Sequence, residues 1–456
     1  MGKDKTMVTD LTEGNISRQL IYFALPLLAS SCLQTAYNMV DMVIVGHYVN
    51  KFGLAAVSIG ADVLHMLTFV AIGFSNAGQV IISQFVGAGR HDKLPKIIGT
   101  LFTFLLGVSI IMTVIFHFLS DDMLVWLNTD PAALSYAKDY VIVCVWGLFF
   151  IYGYNLVSAI LRGMGDSIHP FMFIAVAAIL NMVLDIVFVC FMGLETFGAA
   201  LATVLGQALS FIWALTFLYR NREKFGFDFK FSSFGIDFEV FRPIVKLGIP
   251  MVLQSAAISF SMLFVHSYVN AYGAASTSVT GIARKISTIT NMIAQSLGTA
   301  SSTVMGQCIG AEKYDRVPKV LLTAVIINTA VSLIMAIISV ITPRGVFGIF
   351  TDDAEVLDMA VIYLPVLLLM YASSTTRAPF FSLISASGNS KLNLVVALLD
   401  GVIMRIGLAM FLGLTMNWGI KGFWYGDAIA GFMPTVIGGV YYLSGKWRTR
   451  KYILNR

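Results

Sequence analysis

The segment Ile97–Leu119 has 23 residues and contains no Asp, Glu, Lys or Arg. A helix of about 20 mostly apolar residues crosses the hydrocarbon core of a bilayer. Similar segments recur along the 456 residues, of which 57% are apolar and only 12% charged. Such long apolar segments favour helices over the short alternating strands of a membrane barrel. The composition excludes a cytosolic enzyme, a disordered chain and a secreted disulfide scaffold, and it indicates a polytopic membrane protein.

Glycine, proline and charged clusters separate the apolar segments and mark the connections between spans. The pattern predicts an all-α protein with twelve membrane spans. Their predicted bounds are 18–46, 54–84, 95–119, 134–160, 170–192, 198–219, 245–271, 278–306, 318–342, 357–384, 392–414 and 420–444.

Basic residues are distributed unequally between the connections. Both ends and the even-numbered connections carry 22 of the 30 Lys and Arg residues, whereas the opposite connections carry four. Positively charged loops stay on the cytoplasmic side of a membrane. We therefore predict a multi-pass protein of the cell membrane with both termini in the cytoplasm. The net charge of +5 follows from this topology and does not indicate nucleic-acid binding.

The two halves of the chain resemble each other. Gly165-Asp166-Ser167 matches Gly388-Asn389-Ser390 at an offset of 223 residues, and Ala24-Leu25-Pro26 matches Gly248-Ile249-Pro250 at 224. Each half has six predicted spans, an even number, so the two repeats share one orientation. We predict two six-helix bundles related by a pseudo-twofold axis along the membrane normal. The predicted domains are an N-terminal lobe 1–222, a cytoplasmic linker 223–244 and a C-terminal lobe 245–456.

Ionisable side chains at membrane depth are rare and are usually functional. Gln34, Tyr37, Asn38 and Asp41 recur at spacings of three and four residues in the first span. This spacing places them on one helix face. The carboxylate could bind a proton or Na⁺, or it could be held by hydrogen bonds between helices.

The fifth and sixth spans add oxygen ligands. Asn181 and Asp185 are four residues apart on one face, and Thr203 lies in the next span. Two carboxyls in one half could share a proton or hold Na⁺ as a charged pair. Pro26 lies within the first span and interrupts its hydrogen bonding, so we predict either a hinge or a static kink there.

The C-terminal half carries basic residues inside predicted spans. For Arg284 and Arg377, a gating role, an anion-binding role and a structural role are alternatives. Asp400 is a candidate ion-pair partner for them. Asp400 and Arg405 lie five residues apart, and a regular helix would point them to different faces. The chain contains no nucleotide-binding motif, which favours transport driven by an ion gradient rather than by ATP.

Taken together, these motifs resemble the multidrug and toxic compound extrusion (MATE) family over essentially the whole chain. The motifs that carry the resemblance are Glu13-Gly14, Ala24-Leu25-Pro26, Tyr37–Asp41, Gln84–Gly89 with its repeat Gln307–Ala311, Arg162–Asp166 and Gly198–Thr203.

The resemblance implies a V-shaped pair of bundles that exports amphipathic, mostly cationic compounds in exchange for H⁺ or Na⁺, with no cofactor. It implies an ion site at Asp41, Asn181, Asp185 and Thr203, bending of the first span at Pro26, and a substrate surface that we place at Gln34, Tyr37, Asn38 and Asp41. Another branch of the MATE family has acidic residues in spans 7 and 10. This sequence lacks them and has Arg377 in span 10, which favours the N-terminal site.

We expect a monomeric transporter surrounded by membrane lipids, with no enzymatic activity and no nucleic-acid partner. A lipid-linked oligosaccharide flippase of the same superfamily is an alternative, because its anionic substrate would suit Arg284 and Arg377. A passive channel or receptor is a third alternative, which the midplane carboxyls and the absence of a filter-like loop disfavour.

Overall fold

The computed structural model describes residues 9–127 and 129–448. Every regular element within these residues is a helix. Five basic residues that entered the orientation prediction lie outside the described residues: Lys3, Lys5, Arg450, Lys451 and Arg456.

Six long helices form the N-terminal half. Two of them depart from regular α-helix: α4 is bent by 48° at Gly147, and α5 ends in the wider π-helical turn Ile186–Phe191. They are α1 (Ile16–Tyr48), α2 (Lys51–Gly87), α3 (Leu94–Trp126), α4 (Leu134–Trp146 with Leu148–Gly163), α5 (Ile168–Phe191) and α6 (Glu195–Arg220).

Six further helices form the C-terminal half. The helix α11 contains the π-helical turns Leu399–Ile403 and Phe411–Thr415, and α12 is broken after Ala430. They are α7 (Phe238–Asn270), α8 (Ala274–Gly310), α9 (Arg316–Ile341), α10 (Ala354–Ala386), α11 (Ser390–Thr415) and α12 (Ile420–Ala430 with Met433–Leu443).

Length and hydropathy identify most of these helices as membrane spans. In the described part of the chain, nine are long and apolar enough to cross a bilayer, and the two bent segments of α4 make a tenth. The other two are α8, which carries Arg284 and Lys285, and α12, whose break shortens its segments. The prediction of an all-α polytopic membrane protein with twelve helices is confirmed.

The repeated motif Gly-Asp/Asn-Ser is a helix connection. Gly165 and Gly388 adopt φ angles of +91° and +68°, in the left-handed region that favours glycine. The side chain of the next residue then begins a new helix: Asp166 Oδ1 accepts a hydrogen bond from Ile168 N at 3.0 Å, and Asn389 Oδ1 accepts one from Leu392 N at 3.3 Å. The motif therefore recurs because one residue ends a helix and its neighbour caps the following one.

The chain forms two compact units. The first contains Pro26–Gly248, and the second contains Asp10–Leu25 together with the described residues from Ile249 onward. Both division points lie next to a proline within a long helix, Pro26 in α1 and Pro250 in α7. The predicted lobes 1–222 and 245–456 stay a prediction, and packing adds the assignment of Asp10–Leu25 to the second unit, which no sequence pattern had indicated.

Hydrogen bonds attach this N-terminal segment to the second unit. The backbone N–H of Leu11 donates to Gln307 Oε1 at 2.9 Å. The ammonium of Lys313 lies 2.8 Å from Glu13 Oε1, and Arg316 donates to the carbonyl of Gly14 at 3.1 Å. Gln307 belongs to the motif Gln307–Ala311, so one role of that motif is to hold the segment that precedes α1.

Candidate ion-coupling site

Four helices of the first unit bring polar side chains together around Asp41. On each helix two polar residues lie four positions apart and therefore on the same face. The pairs are Tyr37 and Asp41 on α1, Tyr140 and Cys144 on α4, Asn181 and Asp185 on α5, and Thr203 and Gln207 on α6.

Two carboxyl groups form the centre of this cluster. Asp41 is 5% exposed and Asp185 is 0% exposed, and the two side chains interact electrostatically. Asp41 Oδ1 and both carboxyl oxygens of Asp185 are buried without a hydrogen-bond partner among the described residues. Buried acceptors without a partner are costly, so this arrangement suits a bound proton or cation.

An amide and a hydroxyl complete the predicted set of four residues. Asn181 donates through Nδ2 to Thr203 Oγ1 at 3.4 Å, and Thr203 donates to the carbonyl of Ala199 at 3.1 Å. The other amide atom, Asn181 Oδ1, is buried without a partner in the described part of the chain. The donor side of Asn181 is thus engaged, while its carbonyl oxygen remains an acceptor on the helix face that also carries Asp185.

Three further residues around the site were not predicted from the sequence. Tyr140 and Cys144 of α4 lie within electrostatic range of Asp41, and Tyr140 also lies beside Thr203. Gln207 of α6 lies beside the hydroxyl of Tyr37. The spacing of four residues was visible in the sequence, but nothing local indicated that α4 and α6 face α1.

A glycine makes room for Tyr140. A Cβ atom at Gly60 of α2 would collide with the Tyr140 ring. The two helices can therefore approach closely enough for Tyr140 to reach the carboxyl cluster. A side chain at position 60 would move either the ring or the helix.

We expect Gly60→Ala to lower the free energy of unfolding by about 1–3 kcal/mol, because overpacking displaces the Tyr140 ring. Thermal unfolding of the purified protein in detergent measures the effect. Gly107→Ala is the matched control: Gly107 lies in α3 with open space where a Cβ atom would lie, so this substitution should leave stability unchanged or raise it slightly. Equal stability of the two variants would contradict the packing argument.

The backbone changes directly after Asp185. The π-helical turn Ile186–Phe191 follows this residue. Such wide turns are rare and occur often at functional sites, because they change which side chains share a helix face. A π-helical turn, Phe411–Thr415, also ends α11, which is the counterpart of α5 in the second half.

The predicted substrate residues lie on the same stretch of α1. Gln34 and Tyr37 are half-buried and Asn38 is exposed. The helix continues through Pro26, whose carbonyl accepts a hydrogen bond from the hydroxyl of Ser30 at 2.9 Å. The substrate surface and the hinge at Pro26 both stay predictions.

The second unit contains a buried ion network instead of a pair of acids. Asp400 accepts from Arg377 Nη2 at 2.7 Å and from Arg405 Nη2 at 3.3 Å. Arg405 also forms an ion pair with Asp427. Asp400 is fully buried and Arg405 nearly so. Asp400 and Asp427 are thus paired with arginines, whereas Asp41 and Asp185 are not paired with a basic residue among the described residues.

The prediction that Asp400 and Arg405 point to different faces was wrong. Both side chains meet, because the π-helical turn Leu399–Ile403 adds residues to one turn and aligns positions five apart.

Arg284 donates to the carbonyl of Met262 at 3.4 Å and lies within electrostatic range of Asp427. Within the described residues, no group of three His, Cys, Asp or Glu side chains could hold a metal ion.

Comparison with known proteins identifies the class. The sequence profile of the MatE family matches residues 26–187 and again residues 250–411, so the two halves are two copies of one family domain. The structure is similar to a solved structure described as the outward-facing conformation of a multidrug resistance MATE family transporter of the MOP superfamily. The TM-score is 0.89 at 20% identity, over 98% of this chain and 100% of that one.

The chain belongs to the MatE family, the multidrug and toxic compound extrusion transporters. It is 28% identical to the probable multidrug resistance protein YpnP of Bacillus subtilis (strain 168), over 97% of this chain and 98% of the relative. It is 26% identical to the probable multidrug resistance protein YoeA of the same organism, over 90% of each chain. The family is one of membrane transporters and not of enzymes.

Proposed function

We propose that this protein exports amphipathic, mostly cationic organic compounds in exchange for H⁺ or Na⁺. The observation that carries the proposal is the cluster of buried oxygens at Asp41, Asn181 and Asp185 that have no hydrogen-bond partner among the described residues. Similarity to two probable multidrug resistance proteins supports the substrate class.

The ligand set suits either coupling ion. Carboxylate, amide and hydroxyl oxygens of Asp41, Asp185, Asn181 and Thr203 are the hard donors that alkali and alkaline-earth cations prefer. Two carboxyls in a medium of low dielectric can equally share a proton, because their mutual repulsion disfavours the doubly charged state. We propose that one of these ions binds in the first unit.

Alternating access requires that the coupling ion binds the two conformations of the transporter with unequal affinity. An ion drives a change of conformation only if it binds the inward-facing and outward-facing states with different strength. We propose that occupancy of the carboxyl cluster changes the conformation of α1. The substrate surface at Gln34, Tyr37 and Asn38 lies on that helix, and bending at Pro26 would move it. The protein would act as a monomer in the cell membrane, with both termini cytoplasmic.

The second candidate is a flippase for lipid-linked oligosaccharides, whose anionic substrate would need free arginines. Arg377 and Arg405 are engaged by Asp400 and Asp427, which supports a structural role for them. Arg284 has no ion pair within 4.0 Å among the described residues, and this observation keeps the second candidate open. A passive channel would leave the carboxyl cluster without a role.

Proteoliposomes distinguish these functions. Purified protein should export a fluorescent cation such as ethidium when either a pH gradient or a Na⁺ gradient is imposed, and the effective gradient identifies the coupling ion. Uncoupled ion conductance would favour a channel. Failure to move any organic cation under both gradients would contradict the proposal and favour the flippase.

A further inference from the structure

A groove lined by aromatic side chains lies in the first unit, away from the carboxyl cluster. Its volume is about 530 Å³, within the range of about 300–1,000 Å³ for small-molecule sites. Apart from Thr216, every lining side chain is apolar or aromatic. Its walls include Phe102 of α3, Leu215 and Tyr219 of α6, and Phe229 and Phe234 of the segment that follows α6.

The segment 227–237 forms one wall of the groove and is firmly attached to α3. The backbone N–H of Asp237 donates to Thr100 Oγ1 at 3.1 Å, and the Asp237 carboxylate lies 3.4 Å from Lys96 Nζ. A Cβ atom at Gly99 would collide with the carbonyl oxygen of Ser233. The predicted linker is therefore packed against the helices in this region.

Internal hydrogen bonds and ring contacts fix the shape of the segment. The hydroxyl of Ser233 donates to Asp228 Oδ1 at 2.5 Å and lowers the pKa of that carboxyl. Phe229 has a φ angle of +54°, a costly conformation for a bulky side chain that persists only where surrounding contacts maintain it. Its ring packs edge-on against Phe227 and Tyr219, with centroids 4.7 and 5.7 Å apart.

Positive charge lies beside the groove. The guanidinium of Arg222 is 4.8 Å from the centroid of the Tyr219 ring, which lines the groove. Arg222 is exposed and has no ion pair among the described residues, whereas Lys230 lies 3.4 Å from Asp228. Phe231 is 95% exposed on the same segment. Exposed aromatic rings next to basic residues are typical of chain at a membrane interface.

We propose that this groove binds an anionic phospholipid, with one acyl chain against the aromatic wall and the phosphate on Arg222. A soluble anion would leave the apolar lining of the groove unoccupied, so the ligand needs an acyl chain. The guanidinium of Arg222, which has no ion pair among the described residues, favours a headgroup with net negative charge over a neutral one. The site is separate from the carboxyl cluster and does not depend on the transported substrate.

Native mass spectrometry of the purified full-length protein tests the proposal by titration with phosphatidylglycerol and phosphatidylcholine of identical acyl chains. The wild type should bind phosphatidylglycerol more tightly. Arg222→Gln should weaken that binding about fivefold, because one basic residue near an anionic membrane contributes about 1 kcal/mol. It should weaken the binding of phosphatidylcholine less, because the choline cation of that lipid offsets the charge of its phosphate. Lys224→Gln removes the same charge from a nearby exposed position outside the groove and should have little effect.

A second pair of variants tests the groove itself. Leu215→Trp fills it and should weaken the binding of both lipids. Ile212→Trp adds the same ring at an exposed position on α6 that does not line the groove, and it should bind as the wild type does. Thermal unfolding of both variants checks that they are folded.

Three results would overturn the proposal. Equal losses in Arg222→Gln and Lys224→Gln would show diffuse electrostatic attraction. Unchanged lipid binding in folded Leu215→Trp would show that the groove is not occupied. Binding of ethidium that displaces phosphatidylglycerol and strengthens in Arg222→Gln would assign the groove to organic cations. Lipid binding is measured without transport, so its failure leaves the proposed antiport untouched.

Discussion

Asp41→Asn is expected to abolish ion-coupled export while the protein still folds and reaches the membrane. The substitution keeps the shape of the side chain but removes its negative charge and its titratable proton. An interaction with a charged group is worth about 1.5–3 kcal/mol, so ethidium export from proteoliposomes should fall at least about tenfold. Asp185→Asn should have a similar effect, because both carboxyls lie in one buried cluster.

The double variant gives a sharper result than either single one. If the two acids bind one ion together, Asp41→Asn combined with Asp185→Asn should lose little more activity than either alone, as expected for residues that act as a unit. Asp62→Asn is the matched control, since Asp62 is an exposed carboxylate on α2. Export at the wild-type rate by folded Asp41→Asn would show that Asp41 is not part of the coupling site.

Asp400→Leu is expected to destabilise the second unit by about 3–5 kcal/mol, because it leaves the partly buried guanidinium of Arg377 without a counter-ion and removes one of the two carboxylates that pair with the buried Arg405. Asp400 accepts hydrogen bonds from both Arg377 and Arg405, so one substitution breaks two ion pairs. Thermal unfolding in detergent should show a clear fall in the unfolding temperature. By contrast, Arg344→Gln breaks the pair Arg344–Asp358, whose side chains are exposed, and should cost no more than about 1 kcal/mol.

A compensating change separates charge balance from simple loss of packing. Arg405 keeps its ion pair with Asp427 when Asp400 is replaced. Adding Arg377→Leu to Asp400→Leu removes the guanidinium left without a counter-ion, so the double variant should recover part of the lost stability. A double variant less stable than Asp400→Leu alone would show that Arg377 stabilises the unit through other contacts.

Much of the architecture could be predicted from the sequence, because a bilayer acts on each segment separately. A span needs a certain length of apolar chain, and the backbone must satisfy its hydrogen bonds within the helix. Both conditions are local, so Ile97–Leu119 could be identified as membrane-spanning without its neighbours. The internal repeat was equally visible, and the double match to the MatE family confirms it.

The surroundings of Asp41 were only partly predictable. The spacing of Asn181 and Asp185 places them on one face of α5, but it does not say which helix that face meets. The positions of Tyr140 and Gln207 beside the site depend on how α4 and α6 pack against α1, and a contact at Gly60 sets one of these distances. Such contacts join residues far apart in the chain.

Local helix geometry decided whether Asp400 and Arg405 meet. A regular helix separates residues five positions apart, yet Asp400 and Arg405 meet because the turn Leu399–Ile403 is wider than an α-helical turn. The sequence by itself determined the number of helices, their membrane character and the twofold repeat, since hydropathy and capping are local properties. Only the tertiary structure decided which polar faces meet, because helix packing and the position of a π-helical turn depend on contacts throughout the unit.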